Sequence, residues 1–282
     1  MDRSSASRGA ARWADLRLRV LSAAVLAPLA LGCIGVGGTA FAGLLALVTA
    51  ALSYEWLGLC GQRSSLTSTL VFTALPLSVI LAARGTPVSA LILLAVATAV
   101  ATTLSRGLSP SRPLGFGIPY LGLGALALVW LRQQPGSGAS NVIVLLLVVW
   151  ASDIGAYVAG RAIGGPRLAP SISPGKTWSG AMGGLVAAAA VGLAASAVLG
   201  HGSMSGRGMA LRPMAFAILI GLVSQAGDLF ESQLKRHFRV KDSGTMIPGH
   251  GGLLDRLDAL LTAAPVAALL ALVLGRGVVL WE

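Results

Sequence analysis

The run Asn141-Val-Ile-Val-Leu-Leu-Leu-Val-Val-Trp150-Ala-Ser-Asp153-Ile-Gly-Ala-Tyr157-Val-Ala-Gly160 decides the fold class, because it is long, apolar and carries only one charge, Asp153. At a rise of 1.5 Å per residue, about 20 such residues cross the roughly 30 Å hydrocarbon core of a bilayer. Lipid offers no partner to an unpaired backbone N–H or C=O, so a run of this kind must be a helix. Reading outward in both directions, comparable runs recur at approximately 20–36, 38–54, 66–83, 87–104, 115–131, 177–199, 213–230 and 259–275, which makes nine in all.

Composition agrees. The 282 residues are 55% hydrophobic and only 11% charged, with mean hydropathy +0.80, where a soluble domain carries about 25% charged residues. Disorder, a secreted disulfide scaffold and a soluble Rossmann or barrel enzyme are excluded. The expected architecture is an all-α integral membrane protein with about nine transmembrane helices. Residues 1–19 read as a basic cytoplasmic segment, 20–140 as N-terminal transmembrane helices, and 141–282 as a C-terminal transmembrane region. The first apolar run leads straight into a second, so it reads as an uncleaved span rather than a signal peptide. Cys33 and Cys60 lie in or beside apolar runs without C-x-x-C spacing and read as small apolar residues, with no disulfide or metal site implied.

A net charge of +11 would suggest nucleic acid in a soluble chain. Sorting the 21 Lys and Arg by loop gives another account. With the N-terminus in the cytoplasm, 16 fall on that side, and five (Arg84, Arg132, Arg207, Arg212 and Arg276) on the other. That asymmetry is what the positive-inside rule requires, so no nucleic-acid partner is expected. Tyr54, Trp56, Trp130 and Trp178 stand near run ends, as interfacial aromatics do.

Acidic residues are few and therefore informative. Asp2, Asp15, Glu55 and Glu282 lie at the chain ends or beside a run, while the other six of the ten fall between Asp153 and Asp258. A carboxylate at membrane depth is costly and is a functional candidate by default, which singles out Asp153 and Asp228. Asp153, Tyr157 and Arg161 are spaced to share one helix face. A Gly/Pro-rich loop, read as flexible, follows with Arg167 and leads to Ser173-Pro-Gly-Lys176-Thr177-Trp178-Ser179-Gly180. A Lys-Thr pair opening a helix can receive an anion, Lys176 by charge and the backbone of Thr177 and Trp178 by donation. The Walker A spacing is absent.

The second constellation runs from Gly227-Asp228 through Glu231-Ser232, Lys235-Arg236, Lys241-Asp242, Gly244, Pro248-Gly249-His250-Gly251-Gly252 to Asp255-Arg256-Leu-Asp258. Asp228, Glu231, Ser232 and Lys235 fall on one helical face, and Asp255 and Asp258 again share a face at the start of the ninth run. Carboxylates from two helix ends can clamp a hard divalent cation with waters and phosphate oxygens, and the interleaved Lys and Arg suit phosphates.

From Ser232 to Asp258 the sequence fits S-x-x-K-R-x4-K-D-x-G-x-x-x-P-x-H-G-G-x-x-D-R-x-D at every defined position, and it resembles the phosphatidate cytidylyltransferase (CDP-diacylglycerol synthase) family. Gly227-Asp228-Leu-x-Glu231-Ser232 and Asp153-x-x-Ala-Tyr157-x-x-Gly-Arg161 match as well. The motifs cover roughly the last half of the chain; the first half resembles the family only as a string of apolar spans. The family usually reads Ser-Pro-Lys-Lys-Thr-x-Glu-Gly where this chain has Gly175 and Ser179 in place of the first Lys and the Glu.

The resemblance implies a multi-pass inner-membrane enzyme, with a polar active-site cavity facing the cytoplasm and 141–282 as its C-terminal catalytic region, that converts CTP and phosphatidic acid to CDP-diacylglycerol and pyrophosphate, with Mg²⁺ and room for a second cation. It implies catalytic roles for Asp228, Asp255, Lys235 and Arg236, and substrate contacts from Arg161, Lys176, Thr177, Ser232, Lys241, Asp242, His250 and Arg256. Asp228 and Asp255 are the expected metal ligands, with Asp258, Glu231 and Asp153 as supporting or alternate ones. Membrane lipid is the surrounding partner, and a homodimer is left open. A CTP-dependent lipid kinase of the polyprenol type and a transporter are the alternative readings.

Overall fold

The computed structural model describes residues 3–62, 66–105, 114–199 and 207–273. The basic loop residues Arg63, Arg106 and Arg112, together with Arg276 and Glu282, lie outside the described residues. Among those described, nine helices are long and apolar enough to cross a membrane: α1 (Arg3–Val36), α2 (Gly38–Leu59), α3 (Leu66–Ala83), α4 (Pro87–Leu104), α5 (Leu114–Arg132), α6 (Gly138–Ile163), α7 (Trp178–Leu199), α8 (Arg207–His237) and α9 (Leu254–Val273). The apolar runs therefore mark the helices, but polar residues extend them. α1 begins at Arg3, so the basic segment continues into the first span as one helix, and α8 runs on through Lys235 to His237.

Between α6 and α7 the expected flexible loop is in fact ordered. Arg167–Ala169 (β1) and Ser173–Thr177 (β2) form an antiparallel hairpin, with Arg167 opposite Thr177 and Ala169 opposite Ser173. Ile172 N–H donates to the Ala169 carbonyl at 3.1 Å and closes the turn. Local pairing satisfies the backbone here, with Pro170 in the turn and Gly175 within β2, so the stretch is a hairpin rather than a slack segment.

Helices α2, α3, α4 and α5 pack as one group, and α6, α7 and α8 as another. α9 lies between them, against α5 on one side and α8 on the other. α9 is thereby held by both halves of the chain. α8 ends in a reversal in which Val240 N–H reaches the Lys235 carbonyl at 2.9 Å and Arg239 N–H the Arg236 carbonyl at 3.1 Å, with Arg239 left-handed at φ 57°. This is a Schellman ending, and it turns the chain into the segment that leads back to α9.

Small residues set the closest approaches. A Cβ on Gly183 of α7 would lie 2.2 Å from the Ala159 Cβ and 3.0 Å from the Gly155 carbonyl of α6. In lipid, association rests on this kind of close van der Waals packing. Apolar side chains of α1 such as Leu21, Val25 and Leu29 face outward, as expected of a helix bordered by acyl chains. Gly183→Leu should cost about 2 kcal/mol or more of stability through overpacking. Gly175→Leu, whose Cβ would meet nothing within 4 Å, should stay within about 0.5 kcal/mol of the parent. Thermal unfolding of both variants in detergent measures the difference.

Candidate active site

One end of the bundle carries the charged residues singled out in the sequence. A cavity of ≈ 450 Å³ opens there between α6, the hairpin, α7 and α8. α6 contributes Asp153, Tyr157 and Arg161, so the helical spacing read in the sequence does place them on one wall; Arg161 Nη1 approaches Tyr157 Oη at 3.5 Å. The hairpin contributes Arg167 and Lys176, and α8 contributes Gln225 and Asp228. Lys176 Nζ stands 2.6 Å from Asp228 Oδ2, so two residues 52 positions apart share one ion pair. Gln225 Nε2 donates to Ser152 Oγ and to the Ala181 carbonyl, each at 3.1 Å, which locks α8 against α6 and α7 one turn before Asp228.

The start of α7 differs from the sequence reading. Thr177 is its N-cap: Gly180 N–H donates to Thr177 Oγ at 3.1 Å. Thr177 Oγ in turn donates to Ser179 Oγ, 3.0 Å away, whose proton goes to the Gly164 carbonyl at the end of α6. Trp178 N–H donates to the Pro166 carbonyl at 3.1 Å. The expectation that the Trp178 amide waits for an anion is therefore corrected; it is already spent in closing the hairpin. Ser179 ties the end of α6 to the start of α7. The charge that the hairpin brings to the cavity is that of Lys176 and Arg167.

A second cluster is built around the signature. Lys235 Nζ bridges Glu231 Oε2 at 2.7 Å and Asp255 Oδ1 at 2.8 Å. Glu231 is almost fully buried. Asp255 Oδ2 accepts from Ser243 N–H at 2.9 Å, from Ser243 Oγ at 3.0 Å and from Gly252 N–H at 3.3 Å. Both oxygens of Asp255 are thus engaged within the protein, by partners that no local pattern in the sequence marks. Asp258 is buried, accepts from its neighbour Ala259 N–H at 2.7 Å, and lies within electrostatic reach of Asp228, Asp153 and Lys235. Arg256 donates through Nε and Nη2 to the His250 carbonyl, at 3.1 and 2.6 Å. His250 Nδ1 meets Ser22 Oγ of α1 at 2.9 Å. Gly249 and Gly251 flank it at φ 76° and 87°, a conformation open to glycine at little cost. Arg236 reaches the Ile172 carbonyl at 3.5 Å and links α8 to the hairpin. Ser232 is half-buried on α8, while Lys241 and Asp242 are exposed.

The residue the sequence reading passed over is Glu55. It is buried at 3% exposure near the end of α2. Its carboxylate accepts from Leu253 N–H at 2.9 Å, Leu254 N–H at 2.8 Å and Ser243 Oγ at 3.4 Å. A signal was present, since Glu55 is the only acid between Asp15 and Asp153.

Among the described residues, no three His, Cys, Asp or Glu form a group able to hold a metal ion unaided. The cavity instead offers Asp153 and Asp228. One or two carboxylates completed by substrate phosphates and water form the usual donor set for Mg²⁺, so the residues present fit that ion.

Residues 17–274 match the Cytidylyltransferase family, and the chain belongs to it. A phosphatidate cytidylyltransferase of Brucella suis biovar 1 is 39% identical over 251 residues, covering 89% of this chain and 91% of its own. That of Pseudomonas aeruginosa is 36% identical over 274 residues, 93% and 99% of the two chains. One from Helicobacter pylori reaches 43% identity over 145 residues, 51% of each chain.

The bridge at Lys235 gives a stability test. Lys235→Met leaves Glu231 and Asp255 without their shared cation, and breaking a buried pair of this kind costs about 3–5 kcal/mol. Arg236→Met, at an exposed position, should cost under about 1 kcal/mol. Thermal unfolding in detergent should separate the two.

Proposed function

We propose that this protein is a phosphatidate cytidylyltransferase, which joins CTP and phosphatidic acid to give CDP-diacylglycerol and pyrophosphate. The observation that carries the reading is the Lys176–Asp228 pair inside a cavity flanked by Arg161, Arg167 and Asp153, in a chain of the cytidylyltransferase family. The nucleophile is a phosphate oxygen of the lipid, already anionic near neutral pH. It attacks the α-phosphorus of CTP, the bond to the β-phosphate breaks, and pyrophosphate leaves. No side-chain nucleophile is required.

The difficulty is bringing two polyanions together, and the residues are arranged to lower that repulsion. Lys176, Arg161 and Arg167 hold the triphosphate within the cavity, where fixed positive charge acts more strongly than in water. Asp228 orients Lys176 toward that space. Lys235 and Arg236, both about two turns beyond Asp228 along α8, face the departing pyrophosphate or the lipid phosphate, with Lys241 and Asp242 exposed at the rim. Asp153 and Asp228 would hold Mg²⁺, with Asp258 close behind. The ion supplies charge neutralisation between the phosphates. Asp255 is better suited to fixing Lys235 and the signature segment, since its oxygens are occupied.

The basic end of the bundle faces the cytoplasm in this reading, as does the N-terminus, in the inner membrane. CTP then enters from the aqueous side and the diacyl lipid from the bilayer. The topology is tested by reporter fusions, which should read cytoplasmic after residues 62 and 240 and external after 205. A cytoplasmic signal at 205 would overturn the orientation.

Purified protein with CTP, Mg²⁺ and phosphatidic acid should release pyrophosphate and carry cytidine label into lipid. Label recovered as free CDP would point to a kinase instead. Asp228→Asn should fall below about 1% of parental turnover, because roughly 3 kcal/mol of lost transition-state stabilisation is over a hundredfold in rate. Lys176→Ala should raise the apparent KM for CTP by about tenfold, and by more than Arg167→Ala, in steady-state kinetics at saturating lipid.

A further inference from the structure

The N-terminal spans carry no signature residue, yet the signature segment is held from them at two points. Ser22 of α1 meets His250, and Glu55 of α2 reaches under the segment to the first amides of α9. The first turn of a helix leaves N–H groups without intrahelical partners, and a carboxylate placed there satisfies them and complements the helix dipole. Such caps are ordinarily supplied from the residues just before the helix. Here the cap comes from a residue nearly 200 positions earlier. The same carboxylate lies 3.4 Å from Ser243 Oγ, whose single proton is shared between Glu55 and Asp255. Ser243 bonds Asp255, Asp255 bonds Lys235, and Lys235 bonds Glu231. The result is one unbroken polar chain, Glu55–Ser243–Asp255–Lys235–Glu231. Packing around Glu55 is close enough that a Cβ on Gly244 would lie 2.6 Å from Glu55 Oε1.

We propose that Glu55 is a positioning residue for cytidylyl transfer: by capping α9 and holding Ser243, it fixes the Asp255 carboxylate and through it the Lys235 ammonium. This rests on the cytidylyltransferase reading above. The CTP-holding cavity is lined by α6, the hairpin, α7 and α8 and contains none of Glu55, Ser243 or Asp255. Loss of Glu55 should therefore lower turnover while leaving CTP affinity in place, the opposite of what is expected for Lys176→Ala. Glu55→Gln is the informative change. It keeps the shape but turns an NH₂ toward a donor that Glu55 accepted.

The test measures kcat per CTP-binding site, with sites counted by calorimetric titration so that unfolded protein drops out. Glu55→Gln is expected to lose at least about tenfold in kcat with KM for CTP within about twofold of the parent. Ser243→Ala cuts the same chain without touching the α9 amides, so it remains decisive should Glu55→Gln fail to fold; its kcat should also fall. The double variant should lose less than the product of the single losses, because both act through Asp255. Single variants that keep kcat within about twofold of the parent, or a double variant whose loss equals the product, would overturn the proposal. A parental enzyme that forms no liponucleotide would instead count against the reading of function. Amide exchange across 243–254 decides the structural part in either case. Faster exchange in Glu55→Gln is expected, and unchanged exchange would overturn the cap.

Discussion

The arrangement at the functional end depends on one carboxylate with both oxygens committed. Asp255 takes the Lys235 ammonium on one oxygen and the Ser243 and Gly252 donors on the other. Because Asp255 sits in the first turn of α9 and Lys235 in the last turn of α8, these bonds fix the relative placement of two helix ends and the segment between them. Glu231, buried on the same face of α8, is tolerable there because Lys235 is shared with it. Charges in such a place are stable only as a set, which is why removing one is far costlier than any single contact suggests.

The cavity obeys the same constraint on a more open scale. Asp228 and Lys176 compensate each other across the gap between α8 and the hairpin. The hairpin itself is held by backbone pairing, by the Thr177 cap and by the Ser179 link to the end of α6. In the proposed reading, a triphosphate entering this space meets cations whose positions are already set, so little reorganisation is needed when it binds. Ser179 fits this picture. A short hydroxyl closes a local contact between two helix ends, and the charge at the mouth is left to Arg161, Arg167 and Lys176.

The bundle also gives the motif-free first half a structural role. α9 is wedged between α5 and α8, and Gly227 of α8 allows that wedge, since a Cβ there would lie 2.0 Å from Thr262 Oγ. The N-terminal spans are thus a wall against which α9 is set, and Glu55 and Ser22 extend that wall to the signature segment.

Much of this was legible in the sequence. Nine apolar runs correspond to nine long helices among the described residues, because satisfaction of the backbone in lipid is a local requirement that a hydropathy pattern reports directly. The face shared by Asp153, Tyr157 and Arg161 and the one shared by Glu231 and Lys235 followed from helical spacing. The family could be read from the spacing between Ser232 and Asp258. What the sequence could not supply was partnership between distant elements. Nothing local says that Lys176 closes on Asp228 rather than on another acid, that Asp255 is occupied by Ser243 and Lys235, or that the stretch around Arg167 pairs into a hairpin. Glu55 is the clearest case. Its rarity was visible, but its role depends on α2 ending beside the start of α9, and that meeting is decided by how the helices pack.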